Sequence, residues 1–230
     1  MKEFLCSSVY FGVAVSLIGY AGGVWLKKKF GFAFLNPLLI SIIFVIAVLS
    51  ILGIDYDTYE KSTKFLSYML TPATVCLAVP LYQQISLLRK NLLAVALGIL
   101  SGVLTSLAGV LVLAAAFGLD HQWYVTLLPK SITTAIGMGV SEELGGIVTI
   151  TVAAIVVTGV LGNIIGDLVF RIFRIKEPVA QGLALGTAAH AIGTAKALEM
   201  GEIQAAMSSL SIAVAGLLTV VGASIFANLI

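Results

Sequence analysis

PKSITTAIGMG, Pro129–Gly139, is the stretch on which the fold turns, and SEELGG, Ser141–Gly146, follows it almost at once. A proline, a lysine, three hydroxyls and two glycines stand in a chain that is otherwise 60% hydrophobic and 10% charged. Soluble domains carry about a quarter of their residues as charges. A helix crossing a bilayer needs about 20 apolar residues. Phe4–Leu26, Phe34–Gly53, Phe65–Leu88, Leu92–Phe117 and Ile203–Ile230 hold no Asp, Glu, Lys or Arg, and Leu144–Phe170 holds only Asp167. With a mean hydropathy of +1.10, these runs describe a polytopic membrane protein, with no room for a soluble domain. A cleavable leader is not expected, because the first apolar run is long and ends in Lys27, Lys28 and Lys29.

The basic loops set the expected topology. Lys27–Lys29, Arg89–Lys90, Arg171, Arg174 and Lys176 hold eight of the thirteen Lys and Arg, and Asp55, Asp57, Glu60 and Asp120 fall in the alternate loops. Positive-inside bias places the first set in the cytoplasm and both termini outside, in a cytoplasmic membrane. Counting spans forward, the chain is outside at Gly118–Gln122, while Leu144–Phe170 must end inside at Arg171. Trp123–Glu143 therefore makes no net crossing and is expected to dip in and return. Pro178–Glu202 obeys the same arithmetic from the inner face. The expected fold is all-α: six full transmembrane helices plus two oppositely oriented re-entrant broken-helix elements, as one integral membrane domain over residues 1–230.

Internal similarity points the same way. GVLTSLAG (Gly102–Gly109) matches GVLGNIIG (Gly159–Gly166) at an offset of 57, which also sets Pro72 on Pro129. TTAIGMGVSEELGGI (Thr133–Ile147) matches AHAIGTAKALEMGEI (Ala189–Ile203) at an offset of 56. Repeat-like units then fall near 71–117, 128–170 and 185–228. Chance similarity between Gly- and Ala-rich helices is the competing explanation. Inverted repeats with broken helices at the midplane mark secondary transporters, and irregular backbone survives at that depth only inside protein or beside water.

Pro129 suits a first helical turn. Ser131, Thr133 and Thr134 then bring hydroxyls to a helix start, where free N–H groups favour an anion, and Lys130 adds a full charge. Alternatively, Lys130 snorkels to an interface and the hydroxyls bond locally. In the second element the polar candidates are Thr187, His190, Thr194 and Lys196; a lone histidine there is either a bonded structural residue or a functional one. Glu143 and Glu199, equivalent in the repeat, fit support of the half-helices better than anion binding. Pro72 and Pro80 either line a pathway or bend their span for packing. Asn163 is a candidate for interhelical bonding, Gly102, Gly109, Gly159, Gly162 and Gly166 allow close helix approach, and Asn36-Pro37 reads as a helix start. Cys6 and Cys76 sit in apolar runs and suggest no disulfide. The cysteines and histidines show no ligand spacing, and no catalytic triad or phosphate loop appears. No cofactor, metal, nucleic acid or enzymatic activity is expected.

These motifs resemble the LrgB/CidB family. The carriers are LNPLL (Leu35–Leu39), PATVCLAVPLY (Pro72–Tyr82), LPKSITTAIGM (Leu128–Met138), the pattern Gly145, Gly146, Thr158, Gly159 and Gly162, and GTAAHAIGTAKA (Gly186–Ala197). The chain departs from the family in TTAIGM, in AHAIGTAK and in the pair Glu142-Glu143. The resemblance implies two functions. One is holin-like or antiholin-like regulation of murein hydrolase activity and autolysis with a small LrgA/CidA-type membrane partner. The other is carriage of small monocarboxylates such as pyruvate, glycolate, glycerate or lactate, as in the related plastidial glycolate/glycerate translocator. Broken elements in apolar spans favour the carrier, with an anion held at Lys130, Ser131, Thr133, Thr134, Thr187, His190, Thr194 and Lys196, in a homo-oligomer surrounded by lipid.

Overall fold

The computed structural model describes residues 10–31, 35–76 and 78–230, apart from the side chains of Leu70, Thr71, Thr74, Pro80 and Leu81. Cys6, the start of the first expected span, and the Pro80 side chain lie outside the described residues. No strand occurs among the described residues. The chain divides into two compact units, Met1–Cys76 and Leu77–Ile230.

In the first unit, α1 (Phe11–Phe30) and α2 (Pro37–Leu52) run antiparallel. Two glycines one turn apart permit the approach. A Cβ on Gly23 would stand 2.7 Å from the Cα of Pro37, and one on Gly19 would stand 3.3 Å from the Cα of Ser41. Asn36 starts α2 as its sequence suggests, its side chain accepting from the Leu38 and Leu39 amides at 2.8 and 3.3 Å with Pro37 behind it. Asp55 caps the short α3 (Tyr56–Ser62). The Thr58 amide and hydroxyl hold its carboxyl below the usual carboxylate range. Ser62 accepts from the Gly12 amide at 3.0 Å and ties α3 to α1. Helix α4 (Lys64–Cys76) contains Pro72, which is exposed. The span expected over Phe65–Leu88 is thus divided: α4 belongs to this unit, while α5 (Ala78–Gln83) and α6 (Ile85–Lys90) belong to the second.

Among the described residues, the three helices whose length and composition suffice to cross a membrane all lie in the second unit, each at a hydropathy of 2.2. They are α7 (Leu92–Phe117), α10 (Val148–Ile172) and α12 (Glu202–Phe226), the last extended by a 3₁₀ turn at Ala227–Leu229. One face of α7 is buried, with Val95, Ile99, Val103, Leu107, Val110 and Ala114 spaced at three and four residues. It packs with Tyr124, Leu128, Ile132, Met207 and Ala215 into the core. Between α7 and α10 lie α8 (His121–Leu127) and α9 (Thr134–Glu143); α11 (Pro178–Met200) precedes α12.

Candidate functional site

The stretch quoted first is a hairpin. Asp120 caps α8 by accepting from the Trp123 amide at 2.9 Å, and the helix ends before Pro129. Residues 129–133 interrupt the helix, and α9 begins only at Thr134. The chain then comes back: Ile147 donates its amide to Thr126 Oγ1 at 2.8 Å, and Thr151 Oγ1 donates to the Thr126 carbonyl at 2.8 Å. Thr151 and Ser141 hydroxyls meet at 2.6 Å, fully buried. Two threonines thus satisfy backbone groups beside the break, and Ser141 braces one of them.

The second element also doubles back, at one residue. Helix α11 carries non-helical angles at His190, φ 42 and ψ −136, a region L-residues rarely occupy. Contacts on α10 show the reversal. Going in, Leu185 lies against Gly166 and Ala189 against Gly162. Coming out, Asn163 Nδ2 donates to the Ile192 carbonyl at 3.1 Å, and Lys196 pairs with Asp167 at 2.7 Å. A Cβ on Gly193 would collide with the Leu185 carbonyl oxygen, so the two arms touch directly. Close approach to α12 rests on Gly182 and Gly186, where added Cβ atoms would stand 2.5 Å from the Gln204 and Ser208 carbonyl oxygens.

The two turns meet on Ile155. Its side chain closes on Gly137 of the first hairpin, and its carbonyl accepts from His190 Nε2 at 3.0 Å. That bond requires the proton on Nε2, leaving Nδ1 as an acceptor in the neutral ring. Gly159 makes the space for the ring, since a Cβ there would stand 2.7 Å from His190 Cε1. At the offset of 56, the start of α9 at Thr134 falls on His190, and Gly145 falls on Gly201, each glycine closing its half-helix.

A cleft of ≈ 950 Å³ opens along α7, bounded by α10, by the inward arm of α11 and by the tip of the first hairpin. Small and hydroxyl residues line its α7 wall, from Ala94 and Gly98 through Ser101, Gly102, Thr105 and Ser106 to Gly109. The hairpin adds Lys130 and Ser131. Lys130 Nζ donates to Ser131 Oγ at 3.0 Å, and Ser106 Oγ donates to the same oxygen at 2.9 Å. Ser131 has then spent both lone pairs and keeps its proton to give. Among the described residues Lys130 has no carboxylate partner, and the hydroxyls of Thr105 and Thr158 on the cleft wall make no side-chain bond. In hydrophobic surroundings an unpaired ammonium beside free hydroxyls is costly, and the whole cluster offers donors without an anionic acceptor.

Of the residues singled out in the sequence, Lys130, Ser131 and Thr187 line this cleft together. Thr133 caps α9 in extended conformation without a side-chain bond, and Thr134 is half-buried beside it. His190 and Thr194 are buried behind the cleft wall. Thr194 Oγ1 bonds Ser208 Oγ at 2.7 Å and the His190 carbonyl at 3.1 Å. Lys196 faces Asp167 and Glu199 instead. Glu143 is exposed, and Asn163 serves the returning arm. Ser106, Thr105 and Thr158 were not anticipated. The signal for Thr105 and Ser106 was present on α7, where Ser101, Gly102, Thr105, Ser106 and Gly109 share one helical face, and Thr158 on α10 stood in the sequence only as part of a glycine–threonine pattern.

A family model described as the LrgB-like family matches residues 16–229. The chain is 40% identical over 213 residues to proteins named antiholin-like protein LrgB from Bacillus mycoides and Bacillus cereus, covering 92% of this chain and 93% of theirs. No solved structure matches.

Proposed function

Because the chain belongs to the LrgB-like family, we propose that it is a membrane protein acting as an antiholin-like regulator, restraining murein hydrolase activity and autolysis together with a small LrgA/CidA-type membrane partner. The observation that carries this is near-full-length identity of 40% to proteins bearing that name. It speaks for regulation more directly than for carriage. Cells lacking the chain should release more murein hydrolase activity and lyse faster, and re-expression should reverse both. Unchanged lysis with the partner present would remove this function.

A second reading, carriage of small monocarboxylates, is favoured by Lys130, which bonds Ser131 in the cleft and has no carboxylate partner among the described residues. In this reading the two hairpins are re-entrant elements entering a six-span bundle from opposite faces, related as inverted repeats, with both termini outside and the protein homo-oligomeric. Purified protein in liposomes should take up pyruvate or glycolate saturably and with competition. A leak of unrelated solutes of similar size would favour a pore. Topology is checked with single cysteines in a cysteine-free background. Lys28, Arg89 and Arg174 positions should resist impermeant reagents in intact cells, and Lys61 and Asp120 positions should react.

A further inference from the structure

The cleft is larger than a three-carbon acid alone would fill. Six non-hydrogen atoms, even at a whole water's share of about 30 Å³ each, fill less than ~200 Å³, whereas the cleft holds ≈ 950 Å³. A transmembrane helix is too bulky to be its occupant: a cylinder about 10 Å across and 30 Å long displaces on the order of 2,400 Å³. Clefts of this size suit a ligand of drug or lipid dimensions.

The one lysine of the lining sits at one end with Ser131 and Ser106, the walls beyond it are mainly apolar, and Asn91 and Glu177 stand at the far end. Lys130 and Ser131 meet α7 at Ser106. Helix contacts set the register of the remaining walls: Leu183 lies against Gly98, Thr187 against Gly102 and Leu185 against Gly166. From Ser106 toward Asn91 the walls therefore become Ile165, Leu183, Ala94 and Val179. Fifteen residues of helix separate Ser106 from Asn91, roughly 22 Å at 1.5 Å per residue. Leu161 and Ile165 on the α10 wall are 51% and 45% exposed, so the rim is itself apolar.

We infer that this cleft binds a single-chain carboxylate with an alkyl tail of about ten carbons or more, its carboxylate accepting from Lys130 and from the Ser131 hydroxyl that Ser106 orients, and its tail running toward Asn91. The inference rests on the anion-site reading of the cleft and extends it to a longer class of ligand. An ammonium with no carboxylate partner favours an anion, one ammonium matches one charge, and the mainly apolar channel favours a tail.

The test uses the full chain in phosphatidylcholine nanodiscs with a dodecanoate analogue carrying a photoreactive diazirine near its tail end, followed by peptide mapping. Saturable labelling should fall on α7, α10 and the inward arm of α11. Dodecanoate should compete with it, and equal concentrations of acetate or pyruvate should not. Lys130→Gln should weaken apparent affinity about tenfold or more, as expected for a lost bond to a charged group. Ala94→Trp should block the tail, and Val112→Ala, on α7 but outside the cleft lining and exposed, should leave labelling intact and report that the fold survives substitution on α7. Labelling that is unsaturable, or spread over the lipid-facing helices, overturns the inference. Competition by pyruvate with none by dodecanoate overturns it too, while leaving the small-acid carrier standing. Dodecanoate binding without pyruvate uptake in liposomes supports the inference and removes the small-acid carrier.

Discussion

The two hairpins break their helices in opposite ways. The first interrupts its helix over a run, 129–133, led by a proline, and side-chain oxygens of Thr126, Ser141 and Thr151 stitch its flanks together. The second reverses at the single residue His190, with Gly193 letting its arms touch backbone to side-chain position. A break spread over several residues is soluble by hydrogen bonding. A break concentrated in one residue depends on close packing and on one strained backbone conformation. The second hairpin should therefore tolerate added atoms far less than the first.

Gly193→Ala gives the largest expected effect. The new Cβ meets the Leu185 carbonyl, which belongs to the other arm's backbone and cannot swing aside. Overpacking usually costs about 1–3 kcal/mol and more where nothing can yield, so a loss of at least ~3 kcal/mol is expected. Gly139→Ala in α9 is the matched control: nothing lies within 4 Å of its Cβ. Replacing a mid-helix glycine there should be neutral or stabilise by about 0.5–1 kcal/mol. Thermal unfolding in detergent compares the two, and equal melting temperatures would erase the contrast.

Next is the stitching itself. Thr151→Val keeps the volume and removes the donor to Ser141 and to the Thr126 carbonyl, both buried. Orphaning such groups costs about 1–3 kcal/mol. Thr194→Val, which orphans Ser208 in the second hairpin, should fall in the same range. A negligible effect of Thr151→Val would mean that the first break is held by packing as well.

The strained residue offers a sign reversal. In an ordinary helix, glycine is about 1 kcal/mol worse than alanine. At φ 42 the preference should invert, because a Cβ in left-handed space costs roughly 1–2 kcal/mol. Both replacements lose the bond to Ile155, so His190→Gly should be more stable than His190→Ala by about 1 kcal/mol. The usual order would show that the backbone at 190 relaxes once the ring is gone.

How much of this could be read from the sequence follows the same division. The break at Pro129 was visible because proline, lysine and hydroxyls change the local composition. The second element read as broken from counting spans and from its match to the first, and nothing marked His190 as the turning point, since Ala188, Ala189, Ala191 and Ile192 surround it. The Lys130–Ser131 pair was legible as a local polar cluster. Its partner Ser106 was not, because a serine 25 residues away in an apolar span looks like ordinary helix surface until tertiary packing brings it near. Likewise Lys196 read as a ligand contact, although Asp167, 29 residues earlier, occupies it. Charges within a loop or a motif can be read locally; the pairing of charges across helices cannot.

That pair gives the smallest expected effect and the sharpest geometric information. Lys196 Nζ lies 2.7 Å from Asp167 and 3.9 Å from Glu199, and the two carboxylate side chains are 53% and 57% exposed. Ion pairs in contact with water are worth about 0–1 kcal/mol, so a double-mutant cycle of Lys196→Gln with Asp167→Asn should return a coupling within that range and fall with added salt. A pair sealed in a low-dielectric interior behaves otherwise, because removing one partner strands the other charge at about 3–5 kcal/mol. Single variants costing that much, insensitive to salt, would mean that the outgoing arm of the second hairpin ends inside the protein or the lipid. The water-facing result would place its end at an aqueous edge, where an arm that enters and returns has to finish.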